Sequence, residues 1–381
     1  MRRTVLIDGR IEIGAYSLGQ AMDDEFDQLF EEFVLRGLFK LSDQFKASSL
    51  KYFDDNDSPA AHDEYFFSFT AIWNALVSAG RLEAAEQLWK LAHEPAQQWE
   101  RAHSGKLVDK GGLYYFWAMT ALLRGSMDRG YVLMHQSLQE DSRTSGQPTP
   151  DTPSFALVSL NDDKTDQAFR QWVLEQTKFL EAFVADYART HGRPFKIQDI
   201  KVKFLRNPPS ADAVFQLTHA VARLREIVSL PDQAKRNPFV GQVQLNLLFD
   251  ILLVVDNAIK HKNPTKHKKV VKGKKPKDIT FIDHAFYVLD RAGHPLSLDQ
   301  LVRINGFFNK DFDTTLKSAL AGTLTVGAAV LDHLQCDVAV AYGLRNRGAH
   351  MVETTPAIWN NLDSVQRAVF RTFCATVDHL Y

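Results

Sequence analysis

The chain of 381 residues lacks the residues and motifs that identify many classes of protein. Its two cysteines, Cys336 and Cys374, are too few for a disulfide framework or a four-cysteine zinc site. Both lie in apolar helical surroundings, which predicts buried free thiols. The sequence contains no P-loop, no dinucleotide-binding glycine fingerprint and no G-x-S-x-G nucleophile elbow. The sequence therefore lacks the motifs that usually identify a kinase, a dehydrogenase or an esterase, and we predict no cofactor.

Long apolar runs are also missing. The most apolar segment, Leu245 to Ile259, is interrupted by Asp250 and Asp256, and no stretch of 18 apolar residues occurs. The N-terminal sequence MRRTVLIDGRIEIGAY begins with two arginines after Met1 but has no apolar core of the kind that a secretory signal needs. We therefore expect a cytoplasmic protein that does not associate with membranes.

The charges are distributed unevenly although the net charge is only −1. Residues 1–150 hold 15 Lys and Arg against 22 Asp and Glu, whereas the remainder holds 30 against 24. Anionic ligands are therefore expected to prefer the C-terminal half. Hydrophobic residues make up 45% of the chain and charged residues 24%, which is ordinary for a globular protein of two or three domains.

Apolar residues recur at helical spacing from Asp23 onward, and this periodicity predicts an all-α fold. The exception is the segment from Thr4 to Ile13, which alternates around Asp8-Gly9 and predicts a short N-terminal β-hairpin. The first predicted apolar stripe comprises Phe26, Leu29, Phe30, Phe33, Leu38 and Leu41. Later helices are predicted at Asp166–Thr190, Ala211–Leu230, Phe239–Lys260 and Pro356–Leu380.

A weak internal repeat lies in the first half of the chain. Residues 79–88 recur in outline as residues 124–133, an offset of 45, and each copy joins two helices through small residues. This pattern resembles tetratricopeptide-type helical hairpins, which favours a solenoid-like region at 1–150 on which a protein partner or an inhibitor docks. An ordinary helical bundle fits the pattern equally well. Residues 151–236 form a helical middle segment and residues 237–381 a C-terminal bundle.

The proline-rich segment Ser142–Ser154 is the clearest linker candidate between the first two regions. It is equally compatible with a long surface loop within one helical array.

The segment Arg345-Asn346-Arg347-Gly348-Ala349-His350 carries a candidate catalytic motif with the spacing R-N-x-x-x-H. On a helix, Asn346 and His350 stack on one face, and the long side chain of Arg345 reaches the same region. An imidazole moves a proton and a guanidinium binds a phosphate, while RNA supplies its own nucleophile as the 2′-hydroxyl. The three residues therefore have the chemistry that cleaves RNA without a metal.

The sequence from Ala341 to His350 resembles the signature of the HEPN superfamily, which includes helical toxins and antiviral ribonucleases. The resemblance covers roughly the last 145 residues. It implies metal-independent endoribonuclease activity that gives 2′,3′-cyclic phosphate and 5′-hydroxyl ends, in a toxin or an antiviral defence effector. His350 would be the general acid or base, Arg345 the phosphate clamp, and Asn346 the group that orients the histidine or the phosphate.

The resemblance also implies a composite site in which two motifs face each other. Because the chain has one motif, a homodimer through the C-terminal bundle would have to supply the second. In this family a polar residue on the first helix of the bundle often lies near the active site, and Asp256 or Asn257 fits this position. The alternative function is a non-catalytic scaffold whose bundle binds RNA or a nucleotide, or only dimerises, while the N-terminal region binds a protein.

A lysine tract spans residues 260–277 with nine lysines and no acidic residue. Lysines at this density bind phosphate without sequence preference, so the tract is a candidate RNA-binding element. A solvated loop between two helices is the alternative interpretation. The candidate RNA-binding residues are Lys260, Lys262, Lys266, Lys268, Lys269, Lys272, Lys274 and Lys275. Asp332, His333 and Asp337 precede the motif, but they lack a recognised metal-ligand spacing and we predict no metal site.

Overall fold

The computed structural model describes residues 18–144, 146, 149–165, 167–262, 268–269, 277–278, 281–348 and 356–381, and it confirms the all-α fold. Residues 20–21, 168, 268–269, 277–278, 281–286, 298 and 347–348 are described by their backbone alone. The predicted β-hairpin from Thr4 to Ile13 lies outside the described residues. The chain divides into two compact units, Met1–Ala156 and Leu157–Tyr381.

Unit 1 consists of antiparallel helices joined by short turns. A π-helical segment, Glu31–Arg36, continues the first helix. Gly37 then adopts a left-handed conformation with φ 69°, which ends the helix, so Leu38 is exposed although the apolar stripe predicted it to be buried. The helices are α1 (Gln20–Phe30), α2 (Asp43–Asp55), α3 (Pro59–Ser68), α4 (Thr70–Ser78), α5 (Leu82–Ala102), α6 (Gly111–Leu123) and α7 (Met127–Thr144).

The predicted repeat corresponds to two helical hairpins, α4–α5 and α6–α7, which turn in the same way. Gly80 and Gly125 are both left-handed, with φ 70° and 76°. In each hairpin the amide after this glycine donates to a carbonyl five residues earlier, from Arg81 to Leu76 and from Ser126 to Ala121. This is the geometry of a Schellman helix end, which glycine adopts without steric cost.

Small residues bring the paired helices together, as the repeat predicted. A Cβ atom at Gly130 would lie 2.4 Å from Cδ2 of Leu122, so α6 and α7 approach more closely than a larger residue allows. Ala85, at the equivalent position in the other hairpin, is fully buried. The indole Nε1 of Trp73 donates to Oγ1 of Thr120 at 2.8 Å and joins α4 to α6. The resemblance to tetratricopeptide repeats stays a prediction.

The segment between the units is partly helical. A 3₁₀ turn at Thr149–Asp151 is followed by α8 (Pro153–Val158), so the predicted linker Ser142–Ser154 overlaps the end of α7 and the start of α8. Residues 157–236, most of the predicted middle segment, group with the C-terminal helices in unit 2.

Unit 2 is a helical bundle with two very short β-ladders. Its helices are α9 (Gln167–His191), α10 (Ile197–Ile200) with a π-helical extension at Lys201–Leu205, α11 (Ala211–Ser229), α12 (Asp232–Lys235), α13 (Pro238–Lys262), α14 (Phe281–Ala292), α15 (Leu298–Lys310), α16 (Phe312–Leu320), α17 (His333–Gly348), α18 (Pro356–Trp359) and α19 (Leu362–Leu380). The antiparallel ladders pair β1 (Lys268–Lys269) with β2 (Lys277–Asp278), and β3 (Thr325–Val326) with β4 (Ala329–Val330).

Helix α19 forms the centre of this bundle and packs against α9, α13, α14 and α17. Its apolar positions are fully buried at Val365, Val369 and Phe373, as the helical spacing predicted. The ring of Phe370 stacks on Phe183 of α9 with 3.9 Å between ring centroids. A polar contact also crosses the core, since Nε2 of Gln244 on α13 donates to Oε1 of Gln366 at 2.6 Å.

The predicted helices at Asp166–Thr190, Ala211–Leu230 and Phe239–Lys260 are confirmed as α9, α11 and α13, with small shifts at their ends. The predicted single helix Pro356–Leu380 is instead broken between α18 and α19. At the break the side-chain amide of Asn361 donates to the carbonyl of Ala357 at 2.8 Å. Asparagine favours such local bonds over helix continuation, and its preference outweighs the apolar periodicity here.

Within the described residues, one helix, α13, is long and apolar enough to span a membrane by length and composition. Half of its most apolar window is buried inside the bundle. A core helix of a protein outside the membrane meets the same criterion, so this finding is weak evidence for a membrane span.

Two glycines near the candidate motif give a paired stability test. A Cβ atom at Gly343 would lie 2.4 Å from Cε1 of Phe308, whereas one at Gly306 would meet nothing within 4 Å. Gly343→Ala should therefore lower the free energy of unfolding by about 1–3 kcal/mol through overpacking. Gly306→Ala should raise it by about 0.5–1 kcal/mol, because alanine favours the helix. Urea denaturation measures both, and a stabilising Gly343→Ala would contradict the packing of α15 against α17.

Candidate functional site at the end of helix α17

The last turns of α17 carry two of the three predicted catalytic residues, Arg345 and Asn346, both partly exposed. The helix is described to Gly348, and His350 lies outside the described residues. The stacking of His350 on Asn346 therefore stays a prediction. Buried apolar residues from Val338 to Leu344 hold this end of the helix in the bundle.

Arg345 is held by a buried carboxylate on α13. Its Nη2 atom lies 3.7 Å from Oδ2 of Asp256, whose side chain is only 6% exposed. The same Oδ2 atom accepts a 2.6 Å bond from Nζ of Lys260, one helical turn further along α13. Two cationic side chains therefore lie beside one carboxylate. At 3.7 Å the contact of Arg345 is an ion pair without a hydrogen bond between these two atoms, whereas the contact of Lys260 is a hydrogen bond.

The structure distinguishes between the two supporting residues that the sequence suggested. Asp256 contacts the motif, whereas its neighbour Asn257 is on the exposed face of α13. Of the pair, Asp256 has the geometry for positioning Arg345.

Asn346 is held by residues that the motif does not contain. Its side-chain amide bonds the hydroxyl of Tyr342, one helical turn earlier on α17, and this bond lowers the pKa of Tyr342 while burial, the larger effect, raises it. The Tyr342 hydroxyl in turn donates to Oδ1 of Asn305 on α15. The relay Asn346–Tyr342–Asn305 therefore ties the motif to a second helix.

Some lysines of the tract have contacts in the structure, and the others lie outside the described residues. Lys260 pairs with Asp256, and Nζ of Lys262 lies 4.1 Å from the centroid of the Tyr381 ring, a cation–π distance. Lys268 and Lys269 form the short ladder with Lys277 and Asp278. Lys266, Lys272, Lys274 and Lys275 lie outside the described residues.

The acidic residues before the motif have structural partners. Asp337 on α17 accepts two bonds from Arg371 of α19, at 2.7 and 2.8 Å, and one contact of 3.0 Å from His191 of α9. Arg371 also donates to Asp186 of α9 at 2.8 Å. This network joins three helices around the core. Within the described ranges, no group of three or more metal-ligating side chains has the geometry to hold a metal ion.

No protein-family model, curated protein or solved structure matches this chain.

Two members of the site, Tyr342 and Asn305, were not identified from the sequence. Tyr342 precedes Asn346 by four residues, so its position on the same helical face was a usable signal. Asn305 comes from another helix, and nothing in the sequence relates it to the motif.

Adjacent substitutions on α13 test how firmly the carboxylate holds the site. Asp256→Ala should lower the free energy of unfolding by about 1–3 kcal/mol, because it removes the anion between two cations that are partly desolvated. The matched control Asn257→Ala, at an exposed neighbouring position, should change it by less than about 0.5 kcal/mol. Chemical denaturation of both variants measures the difference. Equal effects would show that the Asp256 contacts do not hold α13 and α17 together.

Proposed function

We propose that this protein is a metal-independent endoribonuclease of the HEPN type. In this proposal His350 either takes the proton of the 2′-hydroxyl as general base or gives a proton to the leaving 5′-oxygen as general acid. Arg345 binds the scissile phosphate, and Asn346 orients the histidine or the phosphate. Attack by the 2′-oxygen on phosphorus breaks the bond to the 5′-oxygen, which takes up a proton. The products are a 2′,3′-cyclic phosphate and a 5′-hydroxyl.

The observation that supports this proposal most is the way in which other helices hold the two described motif residues. Arg345 forms an ion pair with Asp256, and Lys260 adds a second positive charge within the same cluster. A guanidinium whose freedom is already reduced by an ion pair loses less entropy when it binds a phosphate oxygen. Two cationic side chains beside the motif favour an anionic substrate.

The contact with Tyr342 supports a positioning role for Asn346. It ties the side chain of Asn346 to the preceding turn of α17, which limits the directions that the amide can take. A side-chain amide both donates and accepts hydrogen bonds, so Asn346 would orient either the imidazole of His350 or the scissile phosphate.

The resemblance to HEPN ribonucleases extends the proposal to assembly and biology. We propose a homodimer in which the C-terminal bundles bring two copies of the motif to one cleft through a symmetric interface. A role as a toxin or an antiviral effector would place a protein partner or an inhibitor on unit 1.

Replacing the histidine tests the catalytic assignment directly. His350→Ala should reduce cleavage of a defined RNA oligonucleotide by roughly two to four orders of magnitude, the usual contribution of a general acid or base. RNA binding should persist, because the phosphate-binding cations remain. Gel-based cleavage rates and a filter-binding assay measure the two properties separately.

The matched control is His103→Ala, which removes a half-exposed histidine of unit 1 and should leave the cleavage rate unchanged. Cleavage by His350→Ala at the wild-type rate would refute the assignment of His350. Loss of binding together with cleavage would instead favour the non-catalytic, RNA-binding alternative for this histidine.

The lysine tract gives an independent test of RNA binding. Replacing Lys266, Lys272, Lys274 and Lys275 with Gln leaves the structural contacts of Lys260 and Lys262 intact. Each lost phosphate contact should reduce the salt dependence of single-strand binding by about 0.7 in the log–log slope. The rate at saturating RNA should change much less, since these lysines are not proposed to contact the reacting phosphate.

The control for the tract replaces four lysines of the acidic unit 1, Lys40, Lys46, Lys51 and Lys90, with Gln. Salt titrations of RNA affinity compare the two variants at equal change in net charge. If the salt dependence of RNA affinity has the same slope in both variants, the tract is a solvated loop and not an RNA-binding element.

A further inference from the structure

A second cleft lies in unit 2, at the opposite end of α17 from the motif. It has a volume of about 240 Å³ and lies where the ends of α9 and α14, the start of α17 and the end of α19 meet. Its most distinctive lining residues are four histidines, His191, His294, His333 and His379. The start of α17 is separated from Arg345 by 12 residues, or about 18 Å along the helix axis, so this cleft is distinct from the candidate catalytic site.

Arg193, which is held by a carboxylate, also lines the cleft. Nε of Arg193 donates to Oδ2 of Asp378 at 2.8 Å, and the Arg193 side chain is 41% exposed. A guanidinium fixed through Nε presents its outer nitrogen atoms in a fork that matches a phosphate group. Tyr187, which also lines the cleft, donates to the same Asp378 oxygen at 2.9 Å.

The carboxylates near the cleft are already neutralised by protein groups. Asp332 caps α17 by accepting from the amide of Gln335 at 2.9 Å, and it contacts Nδ1 of His294 at 2.8 Å. Asp337 is bound by Arg371 and His191, and Asp378 by Arg193 and Tyr187. Arg193 and the imidazoles are therefore the groups of the cleft that can donate to an anion.

The imidazoles are close enough to influence one another. The pKa of His379 is lowered, mainly by burial, and the positive charges of Arg193, His294 and His191 lower it further, while Asp378 acts in the opposite direction. Mutual repulsion of this kind is relieved by an anion between the groups. His333 and Leu334, which begin α17, line the same cleft, and amide groups in the first turn of a helix favour an anion.

We propose that this histidine-lined cleft binds the phosphate group of a small phosphate monoester. The guanidinium of Arg193 and the imidazoles of His294 and His333 would bind the phosphate oxygens, and the apolar side chains of Ala292 and Leu334 would contact the esterified group. A metal is the competing ligand for clustered imidazoles, but the described residues contain no three ligands with metal-binding geometry. The proposal is independent of ribonuclease activity.

Isothermal titration of the full-length protein tests the proposal with three probes. The probes are adenosine 5′-monophosphate, inorganic phosphate and adenosine. We expect saturable binding of adenosine 5′-monophosphate, weaker binding of inorganic phosphate and none of adenosine. Tighter binding of inorganic phosphate than of the ester would contradict the monoester assignment, and binding of adenosine alone would contradict a phosphate site.

The variant R193Q/H294Q removes an arginine and a histidine whose side chains are 41% and 46% exposed, so the fold should persist. It should weaken binding of adenosine 5′-monophosphate at least about tenfold, since the charge-assisted bonds of Arg193 are lost. The control R36Q/H103Q removes an exposed arginine and an exposed histidine from unit 1, each paired with a carboxylate, and should leave the affinity unchanged. Equal affinities of the two variants, or zinc binding that R193Q/H294Q abolishes, would overturn the proposal.

Discussion

The contact between Asp256 and Arg345 is the constraint on which the candidate site depends. A carboxylate that is 6% exposed cannot stay ionised in the core of a helical bundle without partners, and here its partners come from two helices. The contact joins the first long helix of the bundle to the helix that carries the motif. The ion pair thus draws the guanidinium of the motif toward α13 while its side chain stays 33% exposed. Part of the cost of ordering Arg345 is therefore met when the protein folds, before a phosphate binds.

The opposite end of the same helix is fixed by a second ionic network. Arg371 bridges Asp337 of α17 and Asp186 of α9, so that α19, α17 and α9 are joined by bonds of 2.7–2.8 Å. Helix α17 is therefore anchored by charge at both ends and by apolar packing between them. Its two ends carry the two sites that we propose, the RNA-cleaving motif and the histidine-lined cleft. A rigid helix of this kind is a suitable support for side chains that need precise placement.

Much of the fold was predictable because helices leave a periodic signal. The apolar spacing located α9, α11 and α13, and the repeat of small residues identified the two hairpin turns at Gly80 and Gly125. The failures have local causes. A left-handed Gly37 exposes Leu38, and a side-chain bond from Asn361 divides a helix that the apolar pattern extends without interruption. Such effects depend on single residues, and the apolar periodicity of a segment, which averages over many residues, does not detect them.

The candidate site was predictable in part. The motif spacing singled out Arg345 and Asn346, and the polar interruption of an apolar helix offered Asp256 or Asn257 without choosing between them. Asn305 and the four-histidine cleft could not be found in this way, because they assemble from helices that are distant in sequence. The lysine tract was visible from charge alone, yet the engagement of Lys260 with Asp256 and of Lys262 with Tyr381 required the structure.

The chemistry of the reaction products tests the central claim most directly. Wild-type protein is incubated with total RNA in excess EDTA, and the new ends are identified by their reactivity with end-specific ligases and kinases. Metal-independent cleavage through the 2′-hydroxyl predicts 2′,3′-cyclic phosphate and 5′-hydroxyl ends with the chelator present. Cleavage that requires added magnesium or manganese, or that leaves 5′-phosphate and 3′-hydroxyl ends, would contradict the account.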